Sequence, residues 1–167
     1  MTTILQYYMK FLDYLDVAVK WFCTLAAALM ASVVLLQVVA RYLPFPTPPW
    51  TEELARYLMI YMAFIGASNG IRKWNNISVD FLLMKLPPKT YRVVMAIMQM
   101  VVLALVLYLG ILGFKIFPKV GLRQTSATMG FPMLVPQSAI IIGCFLMALQ
   151  LIGVLLKSFI KEEEHNV

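Results

Sequence analysis

The sequence predicts an all-α integral membrane protein of four transmembrane helices joined by short loops, with interfacial amphipathic helices at the N-terminus and in the inner loop. Two observations carry the prediction. The 167 residues are 62% hydrophobic and only 13% charged, with a mean hydropathy of +0.82, whereas about a quarter of the residues of a soluble domain are charged. Charge-free apolar runs near the length of about 20 residues that a helical span requires then recur four times. They place spans at about 17–42, 52–72, 91–115 and 135–157 of a single membrane domain, 1–167, with a solvated, frayed tail at 158–167.

Ile4–Asp16 opens the chain with Leu5, Tyr8, Leu12 and Leu15 at helical spacing and Gln6, Lys10 and Asp13 between them. That pattern suits a helix lying in the interface or leading into the first span. The first span carries Trp21 and Tyr42 where amphipathic rings favour the two interfaces. Ser32 and Gln37 are its few polar side chains, and Arg41 closes it.

The next segment cannot be helical. Four prolines in the six residues Pro44–Pro49 remove backbone donors and restrict the residues that precede them. Helix resumes at Thr51, a suitable N-cap, and the acids Glu52 and Glu53 favour the positive end of its dipole. The uncharged run Tyr57–Ile71 is only about 22 Å long at about 1.5 Å per residue, shorter than the hydrocarbon layer of about 30 Å. The charged first turn must therefore enter the interface or be buried in protein.

Arg56 follows Glu52 by four residues and Glu53 by three, which puts all three on neighbouring positions of one face. Arg41, across the short loop, is within reach of the same cluster. The plain reading is an ion-pair clasp between the first two helices; contact with a partner or substrate is the sharper one. Below the charges, Ala63, Gly66, Ala67 and Gly70 recur at spacings of three and four. A stripe of small residues lets helix backbones approach where lipid offers no hydrophobic drive for association.

At the other end Arg72 and Lys73 precede Asn75 and Asn76, which break the helix. Ile77–Leu86 then forms a short amphipathic pattern with Asp80 near its start, an interfacial half-helix ended by Pro87 and Pro88. The third span has Gln99 as its one strongly polar interior residue. The loop that follows, 116–132, contains Lys119, Arg123 and the small polar run Gln124–Gly130.

The net charge of +6 follows from membrane orientation and does not require nucleic acid. One side of the membrane collects Lys10, Lys20, Arg72, Lys73, Lys85, Lys89, Arg92, Lys157 and Lys161, nine in all, against five, Arg41, Arg56, Lys115, Lys119 and Arg123. The positive-inside rule then puts both termini in the cytoplasm. No cleaved targeting peptide is read at the N-terminus.

Catalytic chemistry finds no purchase here. The sole histidine, His165, lies in the tail, and Cys23 and Cys144 fall inside spans without Cys-x-x-Cys spacing. No cluster has zinc or iron–sulfur spacing, no membrane serine has a candidate base, and no cofactor is implied. A self-sufficient carrier is expected to show repeats, broken helices or ionisable groups at mid-depth, and this chain shows none. The residues describe an accessory or scaffold subunit, with a generic membrane adaptor or a small stand-alone carrier or channel as alternatives.

Arg41-Tyr42, Trp50-Thr51-Glu52-Glu53-Leu54-Ala55-Arg56-Tyr57-Leu58, Phe64-Ile65-Gly66-Ala67-Ser68, Arg72 and Ile77-Ser78-Val79-Asp80 together resemble the small membrane subunit (DctQ-like) of tripartite ATP-independent periplasmic (TRAP) transporters. The likeness extends over the whole chain, and the Trp-Thr-Glu-Glu-x-x-Arg block is its most specific part. The resemblance implies a bacterial inner-membrane system. A periplasmic substrate-binding protein delivers an organic acid, of C4-dicarboxylate or sialic acid type, to a large membrane subunit that moves it inward with sodium by an elevator-type motion.

In that scheme the small subunit is a static brace. Sodium is implied for the large partner and not for this chain. Arg41, Trp50, Glu52, Glu53 and Arg56 take outer-side structural or docking roles, and Arg72 and Asp80 inner-surface ones. One departure stands out. The family pattern often has His before Ile-x-Val-Asp, and Asn76 stands there. An amide does not titrate near neutral pH, which leaves a proton-linked role at that position unsupported.

Overall fold

The computed structural model describes residues 2–43, 48–72 and 87–165. Those residues form four helices: α1, Thr2–Tyr42; α2, Trp50–Arg72; α3, Pro88–Gly121; and α4, Leu134–His165. The all-helical architecture read from the sequence is what the chain adopts. The inner-loop half-helix, with Asn76 and Asp80, lies outside the described residues, as does much of the proline-rich connection.

Among the described residues, three helices are long and apolar enough to cross a membrane: α1 over Gln6–Tyr42, α3 over Val93–Gly121 and α4 over Leu134–Leu156. α2 carries too many polar residues to qualify by composition, yet it is packed between α1 and α4.

The N-terminal amphipathic segment leads straight into the first span, one of the two arrangements its pattern allows, and two other helices run past their expected spans. α1 is one helix of 41 residues, about 62 Å at about 1.5 Å per residue. Its early charges are accommodated in pairs: Lys20 bonds Asp16 one turn away at 2.5 Å, and Asp13 pairs across to Arg72 of α2. α3 likewise continues past Lys115 to Gly121, because Pro118 falls in the last turn, where the interruption costs one backbone bond and little follows it. α4 runs on through the supposed frayed tail to His165, since Lys and Glu are strong helix formers and nothing before His165 breaks the pattern.

The helices lie side by side in the order α1, α2, α4, α3, with α4 making the broadest contacts. α2 and α4 run parallel, as shown by Tyr61 meeting Ser138 and Phe64 meeting Gly143; α1 and α3 run antiparallel to them. One face of the bundle therefore carries the 43–49 and 122–133 connections, here the loop face. The opposite face carries the chain ends.

α1 buries a narrow seam, Leu12, Val19, Ala26 and Val33, at strict intervals of seven, the repeat of left-handed supercoiled packing. The hydrophobic core is built on α4 around Cys144, Met147, Ala148 and Leu151, with Ile71 and Val106 from its two neighbours. α2 and α4 approach each other closely. A Cβ on Gly143 would stand 2.6 Å from the Phe64 Cβ and 2.8 Å from its backbone, and Ala139, four residues earlier, is fully buried. A small-xxx-small pair on α4 thus makes the tight contact.

Candidate functional site

The most connected polar site lies on the loop face and is centred on Glu53. Residues 124–133 form a small hairpin closed by the Ser126 N–H donating to the Phe131 carbonyl at 2.7 Å and the Met133 N–H donating to the Gln124 carbonyl at 2.8 Å. Thr125 and Pro132 pair between these bonds, and Gly130 completes the tip with a φ of +68°, a backbone conformation that glycine adopts without steric cost. The Met129 N–H donates to the Ser126 hydroxyl at 3.2 Å, tightening the tip.

Glu53 grips this tip with one carboxylate oxygen. Its Oε2 accepts the Thr128 N–H at 3.2 Å, the Met129 N–H at 3.2 Å and the Thr128 hydroxyl. Its Oε1 accepts the Tyr57 hydroxyl at 2.7 Å from the next turn of α2. Hydrogen bonds to an ionised acceptor are about twice as strong as neutral ones. Tyr61, one turn further on, donates to the Val135 carbonyl at 2.8 Å and bonds the Ser138 hydroxyl at 2.8 Å. One edge of α2 therefore ties the hairpin and the start of α4 together.

The charged cluster read from Arg41, Glu52, Glu53 and Arg56 is thereby corrected. Glu52 and Arg56 do pair, but within one helix and with both side chains more than half exposed. Glu53 turns away to the hairpin, and Arg41 is exposed at the end of α1 with no ion pair among the described residues. The ion pair that joins α1 to α2 is Asp13 to Arg72 at the opposite face, where the Tyr8 hydroxyl also donates to the Leu149 carbonyl of α4 at 2.8 Å. Arg72 is mostly buried and Asp13 mostly exposed. Asp80, named with Arg72 from the sequence, lies outside the described residues.

Thr51 does not act as the expected N-cap. It sits inside the first turn, fully buried, and its hydroxyl donates to the Pro48 carbonyl at 2.8 Å. Trp50 begins α2 and is 40% exposed. Of the small-residue stripe, Ala63 and Ala67 face outward while Gly66 and Gly70 are half-buried; a Cβ on Gly66 would lie 3.4 Å from the Cys23 sulfur of α1. The face of α2 that packs tightly on α4 bears Phe64, and Ser68 and Ile71 are buried.

Sequence reasoning missed Thr128 and Met129 as partners of the acidic turn, and Gly143 as a residue of close helix approach. The run Gln124–Gly130 was a visible signal for the first; the Ala139-xxx-Gly143 spacing was one for the second. Among the described residues no group of His, Cys, Asp and Glu has the arrangement to hold a metal ion. The arrangement holds helices and a loop in register.

The family described as "Tripartite ATP-independent periplasmic transporters, DctQ component" matches residues 30–161, which includes the Glu53 site and excludes Asp13. A Haemophilus influenzae protein assigned as a TRAP transporter small permease protein is 34% identical over 119 residues, covering 71% of this chain and 73% of its own. The sialic acid TRAP transporter small permease protein SiaQ of Vibrio cholerae is 32% identical over 91 residues, 54% of this chain and 52% of that protein. The sialic acid TRAP transporter permease protein SiaT of Haemophilus influenzae is 26% identical over 94 residues, 56% of this chain but only 15% of SiaT.

Proposed function

The chain belongs to the DctQ family, the small permease subunits of TRAP transporters, and from that premise we propose that it is the static brace of a sodium-coupled, binding-protein-dependent uptake system. It is a permease component and not an enzyme. Its partners in this reading are a large permease subunit that carries substrate and sodium, and a soluble binding protein that delivers the substrate. Both termini face the cytoplasm, which turns the Glu53 hairpin toward the compartment where the binding protein works.

The observation that supports a brace is the placement of the polar contacts. Glu53 with its hairpin fastens one end of the bundle, and Asp13–Arg72 with Tyr8–Leu149 fastens the other. A helix bundle pinned at both ends resists the relative sliding that alternating access requires. The SiaT match supports the large partner: a segment like this chain occupies a small part of a much longer permease. For substrate the reading is an organic acid of sialic acid or C4-dicarboxylate type, the former being what the names of SiaQ and SiaT carry.

Reconstitution tests this. Liposomes holding the large subunit, this chain and an imposed sodium gradient should take up the organic acid only when its binding protein is supplied. This chain alone should give no flux. Flux through it alone, or undiminished uptake by the large subunit without it, refutes the reading.

A further inference from the structure

α3 is the outermost helix on its side of the bundle and packs broadly on α4 alone. Between them runs an open groove of about 290 Å³ that is almost wholly apolar. Gly110 and Cys144 form its floor, where a Cβ on Gly110 would lie 3.5 Å from that of Cys144. Phe114 of α3 and Phe145 of α4 line it and are 71% and 64% exposed. Val106 lies at its deep end and Lys115 at the end toward the loop face.

The dimensions and charge of the groove single out one occupant. Val106 to Lys115 spans nine residues, about 14 Å along the helix, close to the roughly 15 Å depth of one leaflet of the hydrocarbon core. Four residues beyond Lys115, about 6 Å higher at about 1.5 Å per residue, Lys119 enters a second cavity of about 540 Å³ that it shares with Arg123. Lys119 lies one helical turn beyond Lys115, so the basic cavity adjoins the loop-face end of the apolar groove. Lys115, Lys119 and Arg123 are exposed and in no ion pair among the described residues.

We propose that the α3–α4 groove is a binding site for an anionic phospholipid, with an acyl chain lying over Gly110 between Phe114 and Phe145 and the phosphate met by Lys115, Lys119 and Arg123. An apolar slot one leaflet deep suits an acyl chain. Cations at its mouth favour an acidic headgroup over a zwitterionic one, because lysine stems lie along apolar surface while their ammonium groups reach the phosphates. The site does not depend on the brace reading.

Native mass spectrometry of the full chain, delipidated and then titrated with phosphatidylglycerol or phosphatidylcholine of identical chains, tests the site. Phosphatidylglycerol should be retained at several-fold higher occupancy. The K115Q/K119Q/R123Q variant should bring it down to the phosphatidylcholine level, and Gly110→Leu, which fills the slot, should reduce both lipids. Equal retention of the two lipids by the unaltered chain, or unchanged phosphatidylglycerol binding in either variant, overturns the proposal. Displacement by glycerol 3-phosphate overturns the acyl-chain seat. The triple variant alters only exposed side chains, so it decides the matter even if Gly110→Leu fails to fold. In native membranes a photoreactive side chain at Ile111 should form lipid adducts; an adduct to a second polypeptide shows a protein occupant and refutes the lipid.

Discussion

Glu53 and Thr128 stand 75 residues apart in sequence and meet at the loop face, where the Glu53 carboxylate accepts both the Thr128 N–H, at 3.2 Å, and the Thr128 hydroxyl. Its two oxygens are divided between two tasks. Oε2 serves the hairpin tip and Oε1 serves Tyr57. A carboxamide has only one acceptor oxygen, so Glu53→Gln must leave one set of donors facing an NH2 group. Amide exchange at Thr128 and Met129 should become several-fold faster in that variant, with the centres of α3 and α4 unaffected. Unchanged protection at those two amides would mean that the hairpin holds its shape without Glu53.

Gly143 allows a second, sharper contrast. An alanine there brings a Cβ to within 2.8 Å of the Phe64 backbone, which no side-chain rotation relieves, so α2 and α4 must move apart. Overpacking of this kind costs about 1–3 kcal/mol. At Gly66 and Gly110 the same substitution meets the Cys23 sulfur at 3.4 Å and the Cys144 Cβ at 3.5 Å, ordinary contact distances. Thermal unfolding in detergent should therefore separate Gly143→Ala from Gly66→Ala and Gly110→Ala. Three equal midpoints would contradict the packing described.

These contrasts show what was legible in the sequence. Hydropathy located α1, α3 and α4, because burial in lipid demands apolar runs regardless of neighbours, and α2 was placed by its acidic first turn and the uncharged run Tyr57–Ile71. Partner choice was less legible. Glu53 and Arg56 are three residues apart on one helix, which invites an ion pair, yet the structure offers Glu53 three hairpin donors whose positions depend on a chain reversal at Gly130. The stripe from Ala63 to Gly70 was read as a packing face for a neighbour in this chain or in another subunit, because small residues permit close approach. The close approach is set by the facing helix, where Gly143 admits the bulk of Phe64.

The two ion pairs of α2 should differ in strength. Glu52 and Arg56 are 60% and 67% exposed, and such helical pairs contribute about 0.3–0.5 kcal/mol. The Arg72 side chain is only 19% exposed, and hydrogen bonds to charged groups in less solvated sites contribute about 1.5–3 kcal/mol. A double-mutant cycle with Asp13→Asn and Arg72→Gln should give the larger coupling energy. Replacing both Glu52 and Arg56 with alanine should leave the unfolding midpoint within error of the original. If co-purification of a large subunit nevertheless falls in that variant, the pair serves docking and not the fold; a lowered midpoint would contradict its exposed geometry.

Gly130 ties the hairpin to its backbone geometry. Its φ of +68° lies in the left-handed region, while a Cβ there would meet nothing within 4 Å. Any penalty for Gly130→Ala is therefore conformational and not steric crowding by neighbours, about 1 kcal/mol. Asn, whose short polar side chain tolerates that region, should cost less than Ala. The consequence reaches Glu53. If Ala at this position relaxes the tip toward negative φ, the Thr128 and Met129 amides leave the carboxylate, and adding Glu53→Gln should then cost little more. Strongly non-additive losses, with Asn between Gly and Ala, would tie turn and clasp into one unit. Additive losses would show that the hairpin keeps its shape without the left-handed glycine.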